Sequence, residues 1–308
     1  MTSSAPSGVA AASETIPPWP GELVDVGAGE LFVRRAPAGD GAEPAVFVHG
    51  LGGSATNWTD LMALLRDRLE GAALDLPGFG WSPPPPAGDY SLEAHARAVV
   101  SLVERTGRGR VHLVGNSLGG TVSTLVAATR PDLVRTLTLV SPALPVMRPR
   151  TSNAHLPALA VPWVGARLMS RLDRYPVEQR VRGTISLCFA DPSRVRPQRY
   201  AEAITEAARR ARLGHEGEAM LRSLRALLSA YFRRGPASLW QVAARVTAPT
   251  LLVYGLRDRL VDPRTAARAA RTFAGSRLLL LPDSGHVSQM EHPTLVAEAV
   301  RRLVDELG

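Results

Sequence analysis

Residues 111–120 read VHLVGNSLGG, and this stretch decides the fold class. The apolar, β-branched run 111–115 predicts a strand buried on both faces, and the length and apolar spacing of 118–129 predict a helix. Between them, Gly115 to Gly119 form a G-x-S-x-G turn. Such a sharp turn excludes side chains at both glycines, where they would clash with neighbouring backbone, and it lifts the Ser117 oxygen clear of the sheet. Ser117 is therefore the candidate nucleophile.

The alternation of strands and helices continues on both sides of this turn. Alternating elements of this kind predict a parallel sheet that is covered by helices on both faces. The predicted strands cover 31–35, 45–49, 71–75, 136–140, 250–254 and 277–281, and the predicted helices cover 91–105, 263–273 and 293–306.

One long stretch, 142–246, interrupts this alternation. It lacks short β-branched runs, is rich in Pro, Arg and Ala, and contains predicted helices at 199–212 and 217–234. The chain is accordingly divided into a disordered leader over 1–21, an α/β core over 22–141 and 247–308, and a helical insertion over 142–246.

The composition excludes several kinds of chemistry. All 36 basic residues of the 308 are Arg, so a Schiff-base lysine, a pyridoxal-phosphate anchor and a phosphate-binding Walker lysine are all excluded. The single cysteine, Cys188, cannot form an internal disulfide. The chain shows neither the features of a signal peptide nor an apolar run of the roughly 18 residues that a membrane span needs. We expect a soluble protein of the cytoplasm that requires no cofactor and no metal.

The net charge of +8 is unevenly distributed along the chain. Residues 142–246 hold 18 Arg and 7 acidic residues, a net of +11, whereas the remainder holds 18 Arg and 21 acidic residues, a net of −3. A GC-rich genome explains why Arg replaces Lys, but it does not explain this clustering. The clustering predicts that the insertion favours anionic substrates or an anionic surface; a solvated basic face is the alternative.

Nucleic acid and a membrane surface are two other partners that a basic protein can bind. Zinc ligands, a helix-turn-helix pattern and an aromatic-basic RNA motif are all missing from the sequence, so no nucleic-acid partner is expected. The apolar run 156–164 (LPALAVPWV) is interpreted as part of a pocket roof, with contact to a membrane surface as the alternative.

A second glycine-rich turn, HGLGGS at 49–54, follows the predicted strand 45–49. Stabilising an oxyanion requires two backbone N–H groups from different loops, and Leu51 and Leu118 are placed to supply them. His49 is interpreted as a structural histidine that holds this loop. Phosphate binding by these glycines is not expected, because the G-x-G-x-x-G and P-loop patterns are both missing.

Ser117 needs a base, and that base needs an orienting carboxylate. His286 follows the strand 277–281, which places it at the carboxyl end of the sheet, where open α/β sheets hold their sites. Asp258 follows the strand 250–254 in the same way and is the candidate acid. Asp262 is the rival acid, but Pro263 follows it and favours a capping role for the next helix.

Five segments of the sequence resemble the α/β-hydrolase fold family. The order Ser117, Asp258, His286 is also that family's order. The resemblance covers about 22–141 and 247–308, and it implies an eight-stranded, mostly parallel sheet with a helical cap inserted after the sixth strand. The matching segments are HGLGGS at 49–54, DLPGFGWS at 75–82, GNSLGG at 115–120, GLRDRLVD at 255–262 and SGHVSQMEHP at 284–293.

The resemblance leaves the reaction open between two hydrolases. The first hypothesis is an ester hydrolase that acts on a small-molecule ester or a related acyl substrate. The second follows from the Asn-Ser-Leu-Gly-Gly segment, which is similar to that of hydrolases that cleave carbon–carbon bonds of meta-cleavage products. Those enzymes usually carry Trp directly after the catalytic histidine, where this chain has Val287, although Gln289 and Glu291-His292 keep similar flanks. A non-enzymatic receptor on the same fold is the third hypothesis.

The substrate pocket in this fold lies between the core and the cap. The candidate pocket residues are Gly50, Trp58, Asn116 and Val287. For Trp58 a packing role is an equally acceptable interpretation.

Overall fold

The computed structural model describes residues 16–27, 29–146 and 161–306 of the chain. Within these residues, eight strands form one sheet. In chain order they are β1 (Gly21–Asp25), β2 (Glu30–Arg35), β3 (Glu43–Val48), β4 (Leu69–Leu74), β5 (Val111–Asn116), β6 (Val134–Val140), β7 (Thr250–Gly255) and β8 (Arg277–Leu281).

The order of strands across the sheet is β1-β2-β4-β3-β5-β6-β7-β8. The pairs β1–β2 and β2–β4 are antiparallel, and every other pair is parallel. The expected eight-stranded, mostly parallel sheet is confirmed. The sequence did not predict β1, because four of its five residues are exposed and it has no apolar pattern to detect.

Helices connect the strands and cover the sheet. In chain order they are α1 (Thr59–Leu65), α2 (Leu92–Thr106), α3 (Leu118–Thr129), α4 (Pro162–Leu172), α5 (Val177–Cys188), α6 (Pro197–Arg210), α7 (Glu216–Tyr231), α8 (Leu239–Ala243), α9 (Thr265–Thr272), α10 (Ser288–Glu291) and α11 (Pro293–Asp305).

The core lies on both faces of the sheet, as the sequence predicted. Alternate residues of a strand point to opposite faces. In β3, Val46 and Val48 therefore join a cluster that includes residues of α2 and α3. Ala45 and Phe47 join a separate cluster that includes residues of α1 and α11. The strand is apolar at successive positions because neither of its faces meets water.

Helices α4 to α8 lie between β6 and β7, within the helical insertion predicted over 142–246, of which the structure describes 142–146 and 161–246. The predicted helices at 199–212 and 217–234 correspond to α6 and α7, while α4, α5 and α8 were not predicted. α6 has no fully buried residue and α5 has only Val181, whereas α7 buries six. The apolar run predicted to roof the pocket lies outside the described residues up to position 160.

The predicted leader differs from the structure at its carboxyl end. Positions 1–15 lie outside the described residues, but 16–21 contact the rest of the protein. The Trp19 indole N–H donates to the carbonyl of Thr59 over 3.1 Å, and the Ile16 carbonyl accepts from Gln198. The core therefore begins before residue 21. No helix in the described part of the chain is long and apolar enough to cross a membrane.

Candidate active site

Ser117 occupies the sharp turn between β5 and α3. Its backbone has φ 54° and ψ −118°, a conformation that costs a non-glycine residue about 1–3 kcal/mol. The surrounding backbone enforces this turn. A Cβ atom at Gly119 would overlap the carbonyl oxygen of Val48, and one at Gly115 would lie 2.5 Å from the carbonyl oxygen of Gly119. Both glycines are therefore required, for the reason that the sequence indicated.

The predicted oxyanion donors lie beside this turn. We call residues 50–53 the oxyanion loop. This loop lies against the turn at Ser117: a Cβ atom at Gly50 would lie 3.0 Å from the Cβ of Ser117. Leu118 is the first residue of α3, so its N–H has no partner within the helix. In the part of the chain that the structure describes, neither this N–H nor that of Leu51 donates to a protein group. Both remain available to an oxyanion.

The side chain of His49 connects the oxyanion loop to the residues that follow β4. Its Nε2 accepts from the N–H of Leu76 over 2.9 Å, so the proton lies on Nδ1, which donates to the carbonyl of Gly50 over 2.7 Å. The ring is fully buried, and this desolvation lowers its pKa to about 3. His49 is thus a neutral, structural histidine, as its interpretation from the sequence required.

Asp258 and His286 lie at the carboxyl ends of β7 and β8 and are in direct contact. The Nδ1 of His286 lies 2.8 Å from Oδ2 of Asp258, and both side chains are almost completely buried. The other oxygen, Oδ1, accepts the backbone N–H groups of Leu260 and Val261. Two backbone N–H groups hold Oδ1, and Oδ2 faces the imidazole as an acceptor. Nδ1 of His286 therefore carries the imidazole proton and donates it to Oδ2. The Nε2 atom is then free to act as a base.

Close packing of two loops brings this pair together. We call residues 282–287 the histidine loop. A Cβ atom at Gly255 would overlap the carbonyl oxygens of Ser284 and Gly285 in that loop, so only glycine allows the end of β7 to approach it.

Asn116 connects the nucleophile turn to the histidine loop. Its side-chain Nδ2 donates to the carbonyl of His286 over 3.1 Å and to that of Val140 over 3.0 Å. Among the described residues the Ser117 hydroxyl makes no hydrogen bond. Catalytic hydrogen bonds in free enzymes are often long and tighten only with substrate bound. Ser117, His286 and Asp258 therefore lie at one edge of the sheet, and the side chains of the predicted acid and base are in contact.

The other candidate residues have mainly structural contacts. Trp58 has no exposed surface and packs against Phe47, with ring centroids 5.5 Å apart, so the structure supports its packing role. Val287 is also buried, and Asn116 is committed to the two carbonyl groups that it binds. Gly50 remains next to the nucleophile.

Two further carboxylates near the site shape loops. Asp75 is buried, and its oxygens accept the N–H groups of Ala55 and Trp81 over 2.6 and 2.7 Å. Burial raises the pKa of Asp75. Asp262 binds the side chain and the N–H of Arg264, which precedes α9. In the described ranges, no three His, Cys, Asp or Glu side chains are grouped as a metal site requires.

The sequence did not assign roles to Glu291 and Arg210, which contact the two loops of the site. The carboxylate of Glu291 accepts the N–H of Gly285, and the guanidinium of Arg210 donates to the carbonyls of Gly52 and Gly53. Glu291 lies within the segment SGHVSQMEHP that carried the resemblance, and this position was the only available signal.

Comparison with known proteins agrees with this fold. A sequence profile described as alpha/beta hydrolase fold matches residues 44–293. The chain is 28% identical over 275 residues to a 2-hydroxy-6-oxononadienedioate/2-hydroxy-6-oxononatrienedioate hydrolase of Klebsiella pneumoniae, covering 87% of this chain and 89% of that protein.

Two solved structures share the fold at lower identity. A bacterial membrane phospholipase A superimposes with a TM-score of 0.78 at 22% identity, over 94% of this chain and 86% of that one. The 2-hydroxy-6-oxo-6-phenylhexa-2,4-dienoate hydrolase from Rhodococcus superimposes with a TM-score of 0.75 at 20% identity, over 93% and 100%. Both similarities concern the fold alone.

Proposed function

The chain belongs to the α/β-hydrolase fold family, and we propose that it is a serine hydrolase that cleaves a carboxylic ester of a small or medium organic molecule through an acyl-enzyme on Ser117. The observation that carries this proposal is the 2.8 Å contact between Nδ1 of His286 and Asp258 beside the strained turn at Ser117. Nucleophilic catalysis by a serine needs a base within reach of its hydroxyl and a carboxylate that orients this base, and His286 and Asp258 supply this pair.

Acylation follows from this arrangement. The Ser117 oxygen attacks the ester carbonyl while Nε2 of His286 takes its proton, and the carboxylate of Asp258 stabilises the resulting imidazolium. The N–H groups of Leu51 and Leu118 bind the oxyanion of the tetrahedral intermediate. One such donor is typically worth about 3–4 kcal/mol of transition-state stabilisation. His286 then returns its proton to the leaving alcohol.

Deacylation repeats these steps with water. Nε2 of His286 takes a proton from a water molecule, and the resulting hydroxide attacks the acyl carbon. The same two N–H groups bind the second oxyanion. Collapse of this intermediate returns the proton to the Ser117 oxygen and releases the carboxylic acid, so one water is consumed for each ester cleaved.

Replacement of the nucleophile tests this proposal. We expect Ser117→Ala to lower kcat on a p-nitrophenyl ester by a factor on the order of 10⁶ with an unchanged melting temperature. Ser123→Ala is the matched control, since it removes a buried hydroxyl from α3 that makes no hydrogen bond. Turnover by Ser117→Ala at the wild-type rate would refute the proposed function.

A second candidate reaction is favoured by the similar proteins. The Klebsiella protein is a hydrolase of 2-hydroxy-6-oxo dienedioates, which suggests hydrolysis of a carbon–carbon bond in a dienoate by the same triad. Kinetics with a chromophoric meta-cleavage product and with p-nitrophenyl esters of rising chain length would separate the two reactions. An ester hydrolase should show the higher kcat/KM on an ester, and a higher value on the dienoate would establish the second reaction instead.

A further inference from the structure

The carboxylate of Glu291 connects the histidine loop to the helical insertion. On the loop side it accepts the N–H of Gly285 over 2.6 Å and the hydroxyl of Ser284 over 3.4 Å. On the insertion side it accepts the N–H groups of Ala190 over 3.2 Å and Asp191 over 2.9 Å. The side chain is buried, so water cannot readily replace these four donors. One carboxylate therefore fixes the distance between the two segments.

The backbone of the catalytic histidine is also attached to the insertion. The N–H of His286 donates to the carbonyl of Cys188 over 2.7 Å. Cys188 ends α5, so its carbonyl is one of the four at a helix end that have no partner within the helix. A Cβ atom at Gly285 would overlap that same carbonyl oxygen, which shows that the two backbones are in contact.

The oxyanion loop has a separate attachment to the insertion. The guanidinium of Arg210, at the end of α6, donates to the carbonyls of Gly52 over 2.9 Å and Gly53 over 3.1 Å. The same guanidinium binds the carboxylates of Glu206 and Glu216. Its planar fork reaches all four groups at once, which the single ammonium of a lysine cannot do.

These attachments reach both halves of the catalytic machinery. Gly52 and Gly53 follow directly after Leu51, whose N–H is the predicted oxyanion donor, and the N–H of Gly53 closes the turn by donating to Gly50. Glu291 holds the residue directly before His286. Because a displacement of about 1 Å at a reacting group can cost about 100-fold in rate, contacts that fix these loops influence catalysis without touching the substrate.

We propose that the helical insertion positions both catalytic loops, and that Glu291 and Arg210 are the positioning residues through which it acts. This inference rests on the proposed function, because it assumes that His286 and the Leu51 N–H take part in the reaction. The insertion then has a second role besides any in substrate choice, since the site acquires its working geometry only when the insertion is docked.

The test compares Glu291→Gln and Arg210→Lys with a control that weakens docking elsewhere. A glutamine places an N–H₂ group against backbone donors, and a lysine loses at least one carbonyl contact. Asp60→Asn is the control, because Asp60 on α1 binds Arg196 and Arg199 of the insertion but neither catalytic loop. For each protein, kcat, KM and the rate of Ser117 labelling by a fluorophosphonate are measured well below the melting temperature.

We expect both positioning variants to lose about 10- to 100-fold in kcat and in labelling rate, with KM changed only a few-fold. The Asp60→Asn control should keep kcat within about 2-fold, because Asp60 contacts neither catalytic loop, although its melting temperature falls with the loss of its ion pairs to Arg196 and Arg199. Unchanged kcat in the two variants, or an equal loss in the control, would overturn the inference.

Two further results keep the outcomes separate. If Glu291→Gln does not fold, Glu291→Asp replaces it in the test. This variant keeps the charge but is one methylene too short to reach both segments, so we expect a smaller loss in kcat. Failure of the wild-type protein to be labelled or to hydrolyse any ester would contradict the proposed function instead, because that result does not involve the variants.

Discussion

The sheet core and helix α6 of the insertion are held in place by different forces. Every residue of β5 and β7 is buried, and apolar side chains fill both faces of the sheet. In contrast, α6 has no fully buried residue. Several of its contacts with the core are made by arginine side chains. Burial of apolar surface stabilises the core together with α7 and α8 of the insertion, whose apolar residues join the core cluster, whereas hydrogen bonds and ion pairs hold α6 in place.

The arginine contacts explain part of the uneven charge. Carboxylates of the core bind insertion arginines: Asp60 binds Arg199, Asp283 binds Arg194, and Glu93 binds Arg233. Arg209 donates to the carbonyl of Gly80 and lies over the ring of Trp81 at 3.9 Å. The basic insertion and the slightly acidic core therefore attract each other. That the insertion also favours an anionic substrate or surface stays a prediction.

Among the variants that compare the core with the insertion, the largest effect should come from the acid in the core. We expect Asp258→Asn to lower kcat by about 10⁴-fold, because an amide cannot hold the same tautomer of His286 or stabilise its cation. Asp262→Asn is the control, since that carboxylate binds Arg264 rather than the histidine. Steady-state kinetics on an active ester provide the measurement. If both variants lost kcat to a similar extent, Asp258 would not be distinguished from Asp262 as the acid.

Close packing in the core should make its glycines irreplaceable. We expect Gly119→Ala to reduce the free energy of unfolding by about 3 kcal/mol or more and to abolish activity, because the added methyl would overlap the Val48 carbonyl. Chemical denaturation measures the first effect. A soluble, active variant of wild-type stability would mean that the turn is much less constrained than the structure indicates.

Acid should weaken the core at a higher pH than the contacts of the insertion. Burial lowers the pKa of His49 to about 3 and those of His95 and His112 to about 4, so these rings stay neutral in the folded protein and charge on unfolding. Above pH about 6.5 these rings leave the free energy of unfolding unchanged. As the pH falls toward 4 that free energy decreases, because unfolding takes up about three protons.

The carboxylate that docks α6 also loses its stabilising contribution as the pH falls, but in a lower pH range. Burial alone would raise the pKa of Asp60, but hydrogen bonds from Arg199 and Arg196 outweigh it and lower that pKa. This contact stabilises the protein above the ordinary carboxyl pKa of about 4 and is lost only below it. Melting temperatures between pH 7 and pH 3 test the difference. His95→Gln should reduce the proton uptake by about one, and a flat profile from pH 6.5 to 4.5 would contradict the assignment.

The smallest effect is expected at a glycine of the insertion. Gly183 lies within α5, and a Cβ atom there would meet nothing within 4 Å. Gly183→Ala should therefore raise the free energy of unfolding by about 0.5–1 kcal/mol, because alanine loses less backbone entropy in a helix. Chemical denaturation of this variant and of Gly119→Ala measures the two changes in the free energy of unfolding under the same conditions. Destabilisation at Gly183 would show that α5 is more closely packed at this position than the structure indicates.

Local sequence patterns predicted the core elements because their causes are local. A strand buried on both faces needs an apolar run, and β5, β6 and β7 each carry one. In the insertion, α4 and α5 were not predicted, although Val164, Leu168 and Leu172 of α4 recur at helical spacing. The predicted triad residues all lie at carboxyl ends of strands, where chain order and the parallel sheet place them.

Contacts between distant segments could not be inferred in this way. Arg210 is 158 residues from Gly52, and Glu291 is 100 residues from Asp191. Neither spacing has a periodicity, and neither residue type is unusual for a surface helix. Their burial and their partners exist only after the insertion has docked.

By itself, the sequence determined the sheet, the nucleophile turn and the loops that carry Asp258 and His286, because steric limits on glycine and the burial of apolar strands act over a few neighbouring residues. The tertiary structure alone decided how the insertion holds those loops. Hydrogen bonds from Arg210 and to Glu291 depend on the relative position of segments that are far apart in the chain, and that position is set by the packing of the whole fold.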